Sequence, residues 1–244
     1  MKLPVPIMDL KECPLEIFQY LTDIFVNNTD WDNNDLLTKE EAFYDQSFRY
    51  EAVTKYFNEK SFYFSKLPPS EETTNKIKPY VDYLLTELFP EYSIFRCQVV
   101  CLKPGQNVYP HIDPRYYHIY GKRIHLPLLV NDRSYHVHFS PENEYNMEFS
   151  KMSQGMIIDF DNITPHSAFN YGDTNRIHII CDIVKNSTVE KLEVALNGYP
   201  NATNQKVIDE YYLHLANIEK KYNCKYQDLK TFYLEKLQTM NPHV

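Results

Sequence analysis

No run in these 244 residues approaches the roughly 18 consecutive apolar residues of a membrane-spanning helix. The opening Met1-Lys2-Leu3-Pro4-Val5-Pro6 also lacks the long apolar stretch of a secretory signal. Both absences lead to the expectation of a soluble, cytoplasmic chain with no membrane partner. Cysteine is sparse, with five residues at Cys13, Cys97, Cys101, Cys181 and Cys224 and no C-x-x-C pair among them. An odd number without that spacing supports neither a disulfide framework nor a zinc knuckle, so reduced thiols, mostly buried in strands, are expected. Positive charge is short as well: 25 Lys and Arg against 33 Asp and Glu leave a formal net charge of -8. That balance argues against a broad nucleic-acid-binding face. Internal repeats and low-complexity tracts are missing too.

What is present is a globular composition, 43% hydrophobic and 24% charged, too apolar and too weakly charged for disorder. The length suits one domain with its own core and does not demand a second. Apolar residues at near-helical spacing (Leu15, Phe18, Leu21, Ile24, Phe25) predict a helix over about 14–27, followed by the polar turn-forming run 27–34. A second helix is expected over about 70–88, with Glu71 and Glu72 in its first turn and Pro90 closing it. Pro79 is expected to kink it or delay its start. Between Tyr92 and about Val184 short runs rich in β-branched and aromatic residues alternate with turn signals such as Lys103-Pro104-Gly105-Gln106, the pattern of antiparallel strands. Helical spacing returns over 188–197, about 204–222 and about 227–240. The expected organisation is therefore an N-terminal helical or irregular support region over 1–91, a strand-rich chemical unit over 92–185, and a C-terminal helical extension over 186–244. Trp31 and the aromatic series from Tyr44 to Phe64 are expected to pack as core or lid.

Two strands stand out because each aims an Arg-x-His pair to one side. In Arg123-Ile124-His125-Leu126-Pro127-Leu128-Leu129-Val130, alternation puts Arg123 and His125 on one face and Ile124, Leu126, Leu128 and Val130 on the other. Arg176-Ile177-His178-Ile179-Ile180-Cys181-Asp182 does the same with Arg176 and His178. A barrel or sandwich with a polar lumen follows. Tyr109-Pro110-His111-Ile112-Asp113 places an imidazole and a carboxylate two apart on an extended segment, pointing to the same side. His166, after the strand-like Gly155-Met156-Ile157-Ile158-Asp159-Phe160, supplies a third donor. Two imidazoles and one carboxylate on one face of a metal are the ligand set of non-haem Fe(II) oxygenases. Arg176 suits the anchoring of a distal carboxylate such as that of 2-oxoglutarate, because a guanidinium binds a carboxylate through two parallel hydrogen bonds. The plainer reading pairs Arg176 internally with Asp182 or Asp159. Asp159 and Asp161 are candidates to orient His166 by accepting its second N–H. His136 and His138 share one strand face and either touch substrate or are ordinary solvent-facing or hydrogen-bonded strand histidines. Tyr116, Tyr117 and His118 form either a lid or an ordinary surface loop.

The stretch from Tyr92 to Val184 resembles the aspartyl/asparaginyl β-hydroxylase family of Fe(II)/2-oxoglutarate dioxygenases. The matching pieces, in order, are Lys103-Pro104-Gly105, Pro110-His111-Ile112-Asp113, Arg123 to Leu128, Gly155 to Asn162, His166 to Asn170 and Arg176 to Asp182. The resemblance implies a mainly β fold, a double-stranded β-helix of the jelly-roll, cupin-like kind with flanking helices. It implies Fe(II) at His111, Asp113 and His166, 2-oxoglutarate and O2 as co-substrates, and the distal carboxylate on Arg176. It also implies that His125 lies near the metal-binding end of the co-substrate and Arg123 near a substrate or co-substrate carboxylate. Two departures matter. Asp113 restores a carboxylate that animal peptidyl hydroxylases of the family dispense with, which moves the chain towards bacterial relatives resembling free L-proline cis-hydroxylases. Val100 stands where the peptidyl enzymes have a serine that helps hold 2-oxoglutarate. The expected activity is hydroxylation of an unactivated C–H bond in an amino-acid side chain, in a free amino acid or in a peptide. A catalytically inactive cupin-like binding protein and a non-oxygenase metal cupin stand as alternatives.

Overall fold

The computed structural model describes residues 7–31, 48–52, 71–111, 121–140, 146–188 and 220. Ten strands lie among them. A six-stranded sheet carries the order β1-β8-β5-β10-β3-β2: β1 is Ile7–Glu12, β2 Phe48–Ala52, β3 Tyr92–Leu102, β5 Gly121–Leu129, β8 Met156–Phe160 and β10 Arg176–Lys185. A four-stranded sheet carries the order β4-β9-β6-β7, with β4 Asn107–His111, β6 Ser134–Ser140, β7 Asn146–Ser150 and β9 His166–Asn170. Every strand pair is antiparallel. Two facing antiparallel sheets with non-sequential neighbours form the double-stranded β-helix that the resemblance implies.

Alternation decides which residues meet the core. Ile124, Leu126 and Leu128 of β5 lie on the outer face of the larger sheet with Ile177, Ile179, Cys181 and Ile183 of β10, all at most 1% exposed. Cys97, Val99 and Cys101 of β3 and Ile157 of β8 join them. Helices α1 (Leu15–Thr22) and α2 (Glu71–Tyr83) cover this face, and Leu21, Phe25, Ile77, Tyr80 and Leu84 complete one continuous cluster. Burying each such aliphatic side chain is worth roughly 1.5–3 kcal/mol, which fixes the side on which the strands must present their apolar residues. Val130 was expected on this face but lies just past the end of β5, half-buried.

Both helices end in a wider π-type turn, Asp23–Asn27 and Leu84–Leu88. Together with these turns they occupy the ranges expected from spacing. α2 runs through Pro79, whose ring faces solvent. Trp31 is core: its indole N–H donates to the Phe25 carbonyl at 2.8 Å. The thiols of Cys13, Cys97, Cys101 and Cys181 form no disulfide and are buried, as expected. The N-terminal segment also contributes edge strands that the sequence pattern did not reveal. β1 pairs with β8 through a register shift between Asp9 and Lys11, and none of its residues is fully buried, so its alternation is blurred. The C-terminal helices expected after 188 lie outside the described residues, Lys220 excepted, which is helical. Among the described residues no helix is long and apolar enough to cross a membrane.

Candidate functional site

The two sheets turn their polar faces towards each other. In an antiparallel pair, directly opposed residues share a face. On the larger sheet Arg123 opposes Asp182 and Phe160, His125 opposes Ile180, and His178 opposes Val100. On the smaller sheet His138 opposes His166, and His111 opposes His166 from the other side. Four imidazoles surround the Phe160 ring, with centroids at 4.8 Å for His125 and 5.0 Å for each of His136, His138 and His166. All four, and His178, are buried. The lumen is therefore packed with rings and nearly dry.

Charges in this lumen are partitioned in a way that composition could not reveal. Arg123 makes a two-pronged ion pair with Asp182, Nε at 2.8 Å from one oxygen and Nη2 at 3.1 Å from the other. On the outer face, where Asp159 is in register with Ile124, Lys122 pairs with Asp159. Both carboxylates considered as internal partners for Arg176 are thus engaged elsewhere. Arg176 is itself only 5% exposed, and its partners are imidazoles: Nη2 donates to His136 Nε2 and lies 3.4 Å from His178 Nδ1. Among the described residues no carboxylate meets it. Burial pulls its pKa down to about 9, which still leaves a cation at neutral pH. A buried cation that meets no anion among the described residues is costly, and such a site suits an anionic ligand.

His166 opens β9 behind the turn containing Pro165. Its Nδ1 lies 2.8 Å from the Thr164 carbonyl, which can only accept, so Nδ1 carries the hydrogen and Nε2 keeps a lone pair. A metal-binding histidine held by a backbone carbonyl has this arrangement. Asp161 acts one step back and does not orient His166 directly. It accepts from the backbone N–H of Ile163 at 3.1 Å and of Thr164 at 3.2 Å, and from the Thr164 hydroxyl at 2.6 Å, so it holds the turn that presents the carbonyl. Asp159, bound to Lys122, does not take the second-N–H role expected for it. His111 enters through its register opposite His166. Asp113 and the 116–118 segment lie outside the described residues.

His125, His136 and His178 form a further group, with one nitrogen of each within 4.8 Å of the others. That spacing alone suits a divalent metal. The Arg176 guanidinium, hydrogen-bonded to one of these rings and close to a second, argues electrostatically for an anion instead. Burial, then the Arg176 charge, holds His136 and His178 well below the ordinary histidine value. Burial pushes His138 down to about 4. These rings are neutral at pH 7. Period-2 alternation had put His136 and His138 on one face, but nothing local announced that a second sheet would cover it.

The chain matches the family model described as Aspartyl/Asparaginyl beta-hydroxylase over residues 29–186. Among solved structures, the non-heme alpha ketoglutarate dependent epimerase SnoN from nogalamycin biosynthesis superposes with a TM-score of 0.50 at 8% identity, over 74% of this chain and 78% of that one. A Pseudomonas putida prolyl-4-hydroxylase gives 0.49 at 11% identity, over 75% and 94%. The nickel complex of the non-heme monooxygenase ThoJ gives 0.36 at 15% identity, over 46% and 53%, so the chain spans about half the length of that protein. At 8% identity the likeness to SnoN speaks for the fold alone.

Proposed function

Because the chain belongs to the aspartyl/asparaginyl β-hydroxylase family, we propose that it is an Fe(II)/2-oxoglutarate-dependent dioxygenase hydroxylating an unactivated C–H bond of an amino-acid side chain. The observation that carries this reading is Arg176, a buried cation that meets no carboxylate among the described residues and shares one lumen with His166, whose Nδ1–H is held by the Thr164 carbonyl so that Nε2 carries the ring's lone pair. His111, Asp113 and His166 would hold Fe(II). Arg176 takes the distal carboxylate of 2-oxoglutarate, and His125 flanks the metal-binding end. Arg123, fixed by Asp182, lies towards a substrate or co-substrate carboxylate.

Bound iron and 2-oxoglutarate supply the oxidising chemistry: one O2 and one 2-oxoglutarate yield succinate, CO2 and a hydroxylated product. The chain's own part is orientation and exclusion of water. Phe160 and the buried rings around it keep the lumen dry, and the Thr164 carbonyl holds the His166 ring at a fixed angle. A free amino acid, in preference to a peptide, fits the complete ligand set with Asp113. A cytoplasmic location and the division into 1–91, 92–185 and 186–244 belong to the same proposal.

The test is succinate formation from 2-oxoglutarate across the twenty amino acids and a small peptide panel, with mass spectrometry for a gain of one oxygen. His166→Ala and Asp113→Ala should each abolish succinate formation. Near-normal turnover in either variant sinks the assignment.

A further inference from the structure

Arg176 opens β10 in the larger sheet, yet the nearest partner of its Nη2 comes from the smaller one. Nη2 donates to Nε2 of His136 in β6, and lies at a longer 3.4 Å from Nδ1 of His178, on its own strand. A guanidinium has donors only, so His136 Nε2 carries no hydrogen and turns its lone pair towards Arg176. Burial and the adjoining Arg176 charge keep the ring neutral, with its hydrogen on Nδ1. His136 is therefore an acceptor that faces the cation from across the lumen. Its ring is itself held in place. Ala168 stands directly opposite in β9, and the centroids of Phe160, His125 and His178 lie at 5.0, 5.4 and 5.8 Å. At 5% exposure a ring packed on these sides has little room to turn. Arginine, by contrast, is long and has much rotamer freedom to lose when it binds a ligand.

We propose that His136 is a positioning residue that acts through Arg176: its Nε2 takes one guanidinium hydrogen and thereby fixes the direction in which the remaining donors meet a carboxylate. His136 itself touches no ligand in this arrangement. The donors suffice, because a guanidinium has more N–H bonds than a carboxylate accepts in one two-pronged contact. One given to His136 leaves the others available, the contact with His178 being the longer of the two. An arginine held from the opposite sheet has surrendered its rotamer freedom on folding, so less is lost when the ligand arrives. β3 supplies no polar side chain for this task, since the residues opposite His178 and Arg176 are Val100 and Leu102. The inference rests on the reading of Arg176 as the anchor of 2-oxoglutarate and adds to it the residue that aims that anchor.

Glutarate is the probe, because it has the two carboxylates of 2-oxoglutarate without the keto group and so reports the anchor without metal chelation. Binding is measured by calorimetry on the full-length, metal-free protein in EDTA. His136→Leu should weaken glutarate about tenfold, the loss of one charge-assisted hydrogen bond. In the iron-loaded protein the KM for 2-oxoglutarate should rise by more than kcat falls. The amide variants separate positioning from packing. Glutamine places a carbonyl near the former Nε2 and asparagine near the former Nδ1, so His136→Gln should restore glutarate affinity to within about threefold, whereas His136→Asn should not. Nitrogen NMR of the imidazoles gives a second readout, with His136 assigned by its absence from His136→Gln. Its hydrogen should sit on Nδ1 in the free protein, remain there when glutarate binds, and move to Nε2 in Arg176→Met. Unchanged glutarate binding in His136→Leu overturns the proposal, and so does tighter binding, since the ring would then compete with the carboxylate for Arg176. Equal affinities in the two amide variants, a His136 hydrogen on Nε2 in the free protein, or failure of wild-type protein to bind glutarate also overturn it. So does zinc binding, measured without EDTA, that displaces glutarate and is lost in His136→Leu, because Nε2 would then be a metal ligand. If succinate forms normally and its dependence on 2-oxoglutarate ignores His136, positioning fails alone. If the glutarate pattern holds but wild-type protein with iron and air makes no succinate, positioning stands and the dioxygenase reading fails.

Discussion

Asp182 is the residue on which the charge pattern of the lumen turns. Its two oxygens hold Arg123, with side chains 3% and 7% exposed respectively, and this leaves Arg176 to the imidazoles. Breaking a buried ion pair from one side strands the remaining charge, which costs about 3–5 kcal/mol. Asp182→Ala should therefore lower unfolding stability by about that amount in urea titration, and Arg123→Met with Asp182→Leu should recover much of it. A loss below about 1 kcal/mol in the single variant would show that Arg123 has another adequate anion. Alternation put Arg123 on the polar face of its strand and Asp182 was offered as a partner for Arg176, but which arginine it binds depended on β5 and β10 becoming neighbours.

At the scale of the element, the turn between β9 and β10 is tied by Asn170. Its amide donates to the Leu102 and Thr174 carbonyls, each at 2.8 Å, and its oxygen accepts from Asn131 Nδ2 at 2.9 Å and Gly172 N–H at 3.1 Å. One side chain thereby joins β3, the turn after β5 and the start of β10, where Arg176 stands. Gly172 belongs to the same knot, because an added Cβ would fall 2.1 Å from Asn131 Oδ1. Removing four hydrogen bonds at once, one buried and three partly buried, should cost about 2–4 kcal/mol. Asn170→Ala is expected to show that loss by denaturant unfolding and to weaken 2-oxoglutarate affinity, since Arg176 would no longer be pinned. Unchanged affinity alongside lost stability would separate the turn from the site. In sequence this asparagine looks like any other turn-forming residue, and its partners lie too far along the chain for spacing to suggest them.

For the whole molecule, the buried neutral rings set the acid limit. His136, His138 and His178 have folded pKa values below the unfolded value of about 6.5, with His138 at about 4. Between those values the unfolded chain binds more protons than the folded one, so stability rises with pH there and falls on acidification. Metal-free protein should be fully stable above about pH 6.5 and lose stability as pH drops towards 4, at up to about 1.4 kcal/mol per unit for each histidine. Thermal unfolding across pH 4–8 checks this, and a flat profile below pH 6.5 would mean that the rings open to solvent before unfolding.

The alternation of Ile, Leu and Val with Arg and His along β5 and β10 was enough to separate core from lumen, because the side-chain period of a strand is local and water rejects one face of it. The same reasoning located α1 and α2, and ordered motifs from Lys103 to Asp182 carried the family. Tertiary structure decided what local pattern could not: that β1 and β2 extend the larger sheet, that the Thr164 carbonyl and not Asp159 or Asp161 holds His166, and that Asp182 is bound by Arg123 and Asp159 by Lys122. It also turned His136 from an ordinary strand histidine into a neighbour of Arg176. These are pairings between residues far apart in the chain, and which charge finds which partner depends on strand order and register, quantities that exist only once the sheets have closed on each other.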